Sequence, residues 1–318
     1  MPLEVTKLSK SKDLIQKLGP LLGLLLIIII ISIMSPSFLT ATNIFNVLRQ
    51  VSVSALIAFG MTFVILTGGI DLSVGSTLAL TGAISAGMLA SGMDPILAML
   101  IGLALGAVLG AVNGVIIAKG KVAPFIATLA TMTIYRGITL VYTDGKPVSG
   151  LGDSMAFQMF GKGYFLGIPV PVITMIVAFF VLYFILRKTT FGRRVYAIGG
   201  NEEASRLSGI NVDRVTIAVY SLTGMLAALS ALILTSRLNS AQPTAGESYE
   251  LDAIAAVVLG GTSLTGGRGW IFGTLVGVLI IGVLNNGLNL IGVSSFFQQV
   301  VKGVVILIAV LLDRKKTA

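Results

Sequence analysis

Leu21-Leu22-Gly23-Leu24-Leu25-Leu26-Ile27-Ile28-Ile29-Ile30-Ile31-Ser32-Ile33 carries no charge and almost no polarity. Lys7, Lys10, Lys12 and Lys17 precede it, and Pro36 sits just beyond it. A basic segment before an apolar run has the layout of a signal peptide, yet no convincing small-x-small cleavage site follows. The pattern predicts a retained first membrane helix near 19–34. Downstream the theme repeats. Apolar stretches predict further spans near 50–67, 76–92, 95–118, 122–142, 168–186, 215–236, 251–266, 270–290 and 297–312. Gly68, Gly69 and Gly75 interrupt one region, and Gly260, Gly261, Gly266 and Gly267 another, so some of these spans are expected to be broken or re-entrant. The expected fold is all-α and polytopic, with about ten transmembrane helices in a single domain over 1–318. No loop is long enough for a separate folded domain; the longest are 143–167 and 187–214.

Composition agrees. Hydrophobic residues make up 55% of the chain and charged residues only 11%, and the mean hydropathy is +0.98. A soluble domain is about a quarter charged, so these charges could not cover a water-facing surface. The formal charge of +9 arises from basic residues that flank apolar segments, which suits topology and lipid headgroups and not nucleic acid. Cys and His are both absent. That excludes disulfides, thiol nucleophiles, a Ser-His-Asp hydrolase and the usual metal ligands. Neither a metal nor a cofactor is expected.

Charge placement sets the expected orientation. With ten spans and the N-terminus inside, sixteen Lys and Arg fall on cytoplasmic segments, among them Lys119, Lys121, Arg187, Lys188, Arg193, Arg194, Arg206 and Arg214. Only Arg49, Lys146, Lys162 and Arg237 fall outside, a strong positive-inside bias. Both termini are therefore expected to be cytoplasmic. Arg136 and Lys302 lie in or near spans.

The inner loop 187–214 holds the clearest local signal. Asn201 is a good N-cap after Gly199-Gly200. Glu202 and Glu203 suit the positive end of a helix, and Gly209 can end it. A helix is predicted near 202–208. Ala204 and Leu207, three apart, share a small apolar face. Such a knob suits a cytoplasmic partner; lying on the headgroups is the alternative. No G-x-x-x-x-G-K-[ST] occurs in the chain, so any ATP that drives it must bind to another subunit.

Polar residues near spans are the candidates for a path. Asp71 must face a cavity, an ion partner or an interface; Arg136 is one possible partner, and a cap on Leu72, Ser73 or Val74 is the plainer reading. Asn285, Asn286 and Asn289 share a helical face and suit either sugar hydroxyls or helix–helix contacts. Asn113 has the same ambiguity. Thr128, Thr131 and Thr133 are expected to bond back to their own helix. The outer segment 237–252 carries Glu247, Glu250 and Asp252, an acidic rim able to steer a docking protein. Gly68-Gly69-Ile70-Asp71-Leu72-Ser73-Val74-Gly75 weakly echoes Gly260-Gly261-Thr262-Ser263-Leu264-Thr265-Gly266-Gly267.

Several motifs together carry a family resemblance. Gly69 to Gly75, Ala197 to Asn211, Ser240 to Gly246, Tyr249 to Leu264 and Asn285 to Leu290 resemble the permease subunits of sugar ABC importers, and their ribose branch in particular. The resemblance covers nearly the whole chain in order. It implies two permease copies around a central path, a double ATPase subunit docked from the cytoplasm, and an extracytoplasmic binding protein that delivers ribose or a similar sugar. It also implies that Asn201, Glu202, Glu203, Ala204, Arg206, Leu207, Ser208 and Gly209 meet the ATPase. Asp71, Ser73, Asn285, Asn286 and Asn289 become candidates for the path. An ion-coupled secondary transporter that uses Asp71 is the alternative from residue chemistry. An intramembrane enzyme would need Asp, Ser, Lys or Tyr, and no convergent constellation is visible.

Overall fold

The computed structural model describes the backbone of residues 3–152 and 154–317, and side chains from Gly19 onward except at 153, 306 and 308–318. Thirteen helices follow one another among the described residues: α1 Leu3–Met34, α2 Ala41–Leu66, α3 Val74–Ala90, α4 Pro95–Ala118, α5 Pro124–Thr143, α6 Met155–Lys162, α7 Val170–Lys188, α8 Thr190–Gly200, α9 Glu202–Leu207, α10 Val212–Leu238, α11 Tyr249–Leu259, α12 Ile271–Leu290 and α13 Ser295–Thr317. A small antiparallel hairpin, β1 Tyr164–Phe165 with β2 Ile168–Pro169, lies between α6 and α7. Among the described residues, this hairpin and an isolated bridge between Val148 and Ala241 are the departures from an all-α expectation.

The chain is a multi-pass membrane protein. Among the described residues, six helices (α2, α4, α5, α7, α10 and α12) are long and apolar enough to cross a bilayer, and Gly19–Met34 and Val74–Ala90 are shorter apolar helices. The span expected over 251–266 is not one helix. α11 stops at Leu259 and a glycine-rich loop runs on to Trp270. The other glycine break falls as expected, between Leu66 and Val74.

α2 is the buried axis. Every side chain but Ser54 from Val51 to Leu66 is buried, so its two faces both read apolar. Helices at the periphery are one-sided instead. On α1, Leu22, Leu25, Leu26, Ile29 and Ile33 point outward at helical spacing while Ile31 packs against Gly287 of α12. Exposed Ile96, Leu97, Leu100, Val108, Val112 and Val115 mark the lipid side of α4. Asp94 caps that helix, accepting from the amides of Ile96 and Leu97 at 3.0 Å, and Pro95 fills its first position.

The inner face of α4 is a row of glycines at every fourth residue: Gly102, Gly106, Gly110 and Gly114, all buried. They let α10 approach to backbone contact. A Cβ added to Gly106 would lie 2.5 Å from both Ala228 Cβ and the Gly224 carbonyl oxygen, and one added to Gly110 would strike the Tyr220 carbonyl. Small residues four apart are how membrane helices gain close packing where no hydrophobic drive separates them from lipid. α10 makes its most extensive contact with α4.

Candidate functional site

The loop 187–214 contains two helices where one was expected. α8 forms ahead of α9 in spite of its three glycines, because Val195 and Ile198 bury against the core. Thr189 caps its start, accepting from the Gly192 amide at 3.3 Å. Tyr196 donates its hydroxyl to the Gly269 carbonyl at 2.8 Å; burial raises that phenol above its ordinary value, so it stays protonated to make the bond.

α9 lies where the capping signals put it. Asn201 Oδ1 accepts the Ala204 amide at 2.8 Å. Gly209, at φ +83°, turns the chain out, and the Ile210 amide returns to the Ser205 carbonyl at 3.0 Å. Arg206 Nη2 donates to Glu202 Oε1 at 3.1 Å and to Asp213 Oδ1 at 3.2 Å. These two bonds raise the guanidinium above its ordinary value. They tie α9 to the start of α10 and so orient it, which matters more than the small energy of solvated pairs. Leu207 is 85% exposed. With exposed Ala204 it gives the knob an apolar tip and a charged rim.

Where α8 ends, three backbones converge. The Gly267 amide donates to the Leu66 carbonyl at 3.0 Å. A Cβ on Gly199 would fall inside that same carbonyl and against the Gly267 nitrogen. The two glycine-rich breaks, one after α2 and one after α11, thus touch each other, and the α8–α9 unit sits on their junction.

Asp71 is 1% exposed and lies in the first break. Its Oδ1 accepts the Ser73 amide at 2.9 Å and the Ser73 hydroxyl at 2.7 Å, which is the cap reading. Asn113 of α4 donates to Ser73 Oγ at 2.7 Å, and Tyr220 of α10 donates to the Ile70 carbonyl at 3.1 Å. Arg136 is not the partner of Asp71. Its Nη1 donates to the Pro243 carbonyl and, at 3.0 Å, to that of Ala245. Thr128, Thr131 and Thr133 do bond back to their own helix.

The asparagines of α12 separate by role. Asn286 exchanges reciprocal 2.9 Å bonds with Asn43 of α2, and Asn289 accepts from Gln298 of α13 at 2.8 Å. Both are helix–helix contacts. Asn285 Oδ1 is buried without a hydrogen-bond partner among the described residues. It borders a cavity of about 70 Å³ also lined by Gln50, Ser54, Asp252 and Lys302.

Of the acidic trio, Asp252 is paired with Lys302 at 2.9 Å. Glu247 and Glu250 line a cleft of about 540 Å³ with Ser76, Thr133, Arg136 and Ser248. Sequence alone does not bring these together, since the cleft depends on segment 239–248 folding back against α3. Gly246, at φ +75°, meets Gly75 there backbone to backbone.

The family described as "Branched-chain amino acid transport system / permease component" matches residues 43–310. The chain belongs to that family. It is similar to the ribose import permease protein RbsC of Bacillus subtilis (strain 168), with 72% identity over 303 residues, 95% of this chain and 94% of that one. It is 58% identical over 298 residues to the ribose import permease protein RbsC of Escherichia coli (strain K12), covering 93% of each. The L-arabinose transport system permease protein AraH of Escherichia coli (strain K12) is 41% identical over 298 residues, 94% of this chain and 90% of that one. No solved structure matches the chain. Members of this permease family are transporters and not enzymes, which agrees with the absence of a phosphate-cradling loop.

Proposed function

We propose that this chain is the transmembrane permease subunit of an ATP-driven importer that passes ribose, or a closely similar sugar, into a bacterial cytoplasm. The observation that carries the reading is 72% identity, across 95% of the chain, to a ribose import permease. Sugar reaches the permease from an extracytoplasmic binding protein. Two permease copies enclose the path, and an ATPase subunit, a double nucleotide-binding chain, docks from the cytoplasm. The permease lies in the cytoplasmic membrane as one domain of about ten spans, some of them broken, with both termini inside.

In this mechanism Asn201 to Gly209 receive the ATPase. The exposed Leu207 tip and the Arg206 bonds support that role. Closure of the ATPase pushes α9 and α8 against the junction of the two glycine breaks, and rigid-body motion reopens the path inward. Asp71, Ser73 and Asn285 are the proposed polar elements of the path, while Asn286 and Asn289, first considered with them, hold α12 to α2 and α13. Of the three acids considered for docking, Asp252 is held by Lys302 and Glu250 is partly buried in the Arg136 cleft, so Glu247, the most exposed, is the one proposed to meet the binding protein. An ion-coupled carrier built on Asp71 is less well supported, because that carboxylate is occupied with Ser73.

The test is ribose uptake into proteoliposomes that hold this chain, its ATPase and the binding protein, with ATP sealed inside or omitted. Uptake that requires all three proteins and ATP is expected. Uptake by this chain alone, driven by a proton or sodium gradient, would refute the importer reading.

A further inference from the structure

Arg136 lies about 18 Å along α5 from Pro124 and about 10 Å short of Thr143, at 1.5 Å per residue. It is thus well inside a helix that is long and apolar enough to cross the bilayer. Glu247 and Glu250 stand with it on one open cleft. Three ionisable groups at this depth cannot face acyl chains. Gly137 borders the cleft on the α5 side, and a Cβ added there would meet nothing within 4 Å. Its volume of about 540 Å³ falls in the range of small-molecule sites.

The donor and acceptor inventory indicates what fits. Ser76 gives its hydrogen to the Ser73 carbonyl and Thr133 gives its own to the Leu129 carbonyl. Toward the cleft these two hydroxyls therefore only accept. Both carboxylates accept. Among the described residues, Arg136 uses two of its five N–H donors, both on Nη1, for carbonyls of segment 243–245. The lining is rich in acceptors and carries more negative than positive charge. It disfavours anions, and its many acceptors suit the hydroxyl donors of a sugar.

We infer that this cleft is a receiving site for sugar in the permease, with Glu250 and Glu247 accepting ligand hydroxyls and Arg136 donating to ring or hydroxyl oxygens. The site rests on the importer reading above and lies, in its orientation, in the outer half of the membrane.

The absence of cysteine provides the experiment. Thr133→Cys in the reconstituted complex of permease, ATPase and binding protein is treated from outside with a charged, membrane-impermeant thiol reagent. Separately, Glu250→Gln is assayed for ribose taken up per ATP hydrolysed, with Glu250→Asp as the conservative rescue. Labelling of Thr133→Cys is expected, together with a fall of about tenfold in ribose per ATP for Glu250→Gln, the loss of one charged hydrogen bond, and partial recovery with Glu250→Asp. Failure of the reagent to reach the cysteine would overturn the site, as would an unchanged ribose-to-ATP ratio, or uptake and ATP hydrolysis falling together. Wild-type complex that takes up no ribose would instead sink the importer reading and leave the cause in the substrate assignment.

Discussion

Gly199 and Gly200 are neighbours in sequence and opposites in space. A Cβ built on Gly200 meets nothing within 4 Å, whereas on Gly199 it collides with the Leu66 carbonyl, the Gly267 nitrogen and, at 2.9 Å, the Leu66 carbonyl carbon. All three obstacles are backbone, so no rotamer change relieves them. Gly199→Ala must push the end of α8 away from the α2 terminus by on the order of 1 Å, an overpacking that costs about 1–3 kcal/mol. If the Gly267–Leu66 hydrogen bond breaks as well, a further loss of about 0.5–1.5 kcal/mol follows. Gly200→Ala carries neither cost and gains slightly in helix propensity, about 1 kcal/mol at most. The assay is paired: thermal unfolding of each purified permease in detergent, and ribose uptake per ATP in the reconstituted complex. Gly199→Ala is expected to unfold at lower temperature and to uncouple uptake from hydrolysis, with Gly200→Ala close to wild type in both. Indistinguishable behaviour of the two variants would refute the idea that the α8–α9 unit acts through this junction.

Other substitutions test other joints. Asn201→Ala removes the α9 cap, worth about 1 kcal/mol, and should weaken co-purification of the ATPase while leaving the thermal midpoint of the permease alone little changed. Gly106→Leu drives a side chain into Ala228 and the Gly224 carbonyl and should lower the yield of folded protein on size-exclusion chromatography, whereas Gly137→Ala, with open space around it, should not. Asp71→Ala leaves the buried Ser73 amide without its acceptor, a loss of about 1–3 kcal/mol readable as a lower unfolding temperature; uptake by the wild type should be unaffected when a protonophore collapses the proton gradient. In a double-mutant cycle, Asn43→Ala and Asn286→Ala should show a coupling of about 0.6 kcal/mol, the average for hydrogen bonds between membrane helices.

Local rules made some of this legible. α9 follows from a cap, two acids and a terminal glycine, all within nine residues, and each of those signals acts at short range. The glycine breaks after Leu66 and Leu259 were visible for the same reason. α8 was not, because its three glycines argue against a helix and burial of Val195 and Ile198 outweighs them. The glycine row of α4 was in view at a spacing of four and would have pointed to its partner face. The Arg136–Glu250 cleft joins positions more than a hundred residues apart through a re-entrant turn, and no periodicity encodes that. Likewise Asn286 could be assigned to a face, but its partner Asn43 could not be read from that face.

The contact of α4 with α10 has a mechanical consequence. Main chain meets main chain at Gly106, Gly110 and Gly224, with no rotamer available to yield between them. A joint of that kind has almost no compliance, so the two helices translate together as one strut and cannot slide past each other. Whatever hinge serves the transport cycle must lie where side chains make the contact, as where Phe59 of α2 meets Phe179 of α7 with ring centroids 5.9 Å apart. Rings can roll and re-seat over such a distance, while the strut keeps its length and delivers the full stroke to whatever it carries.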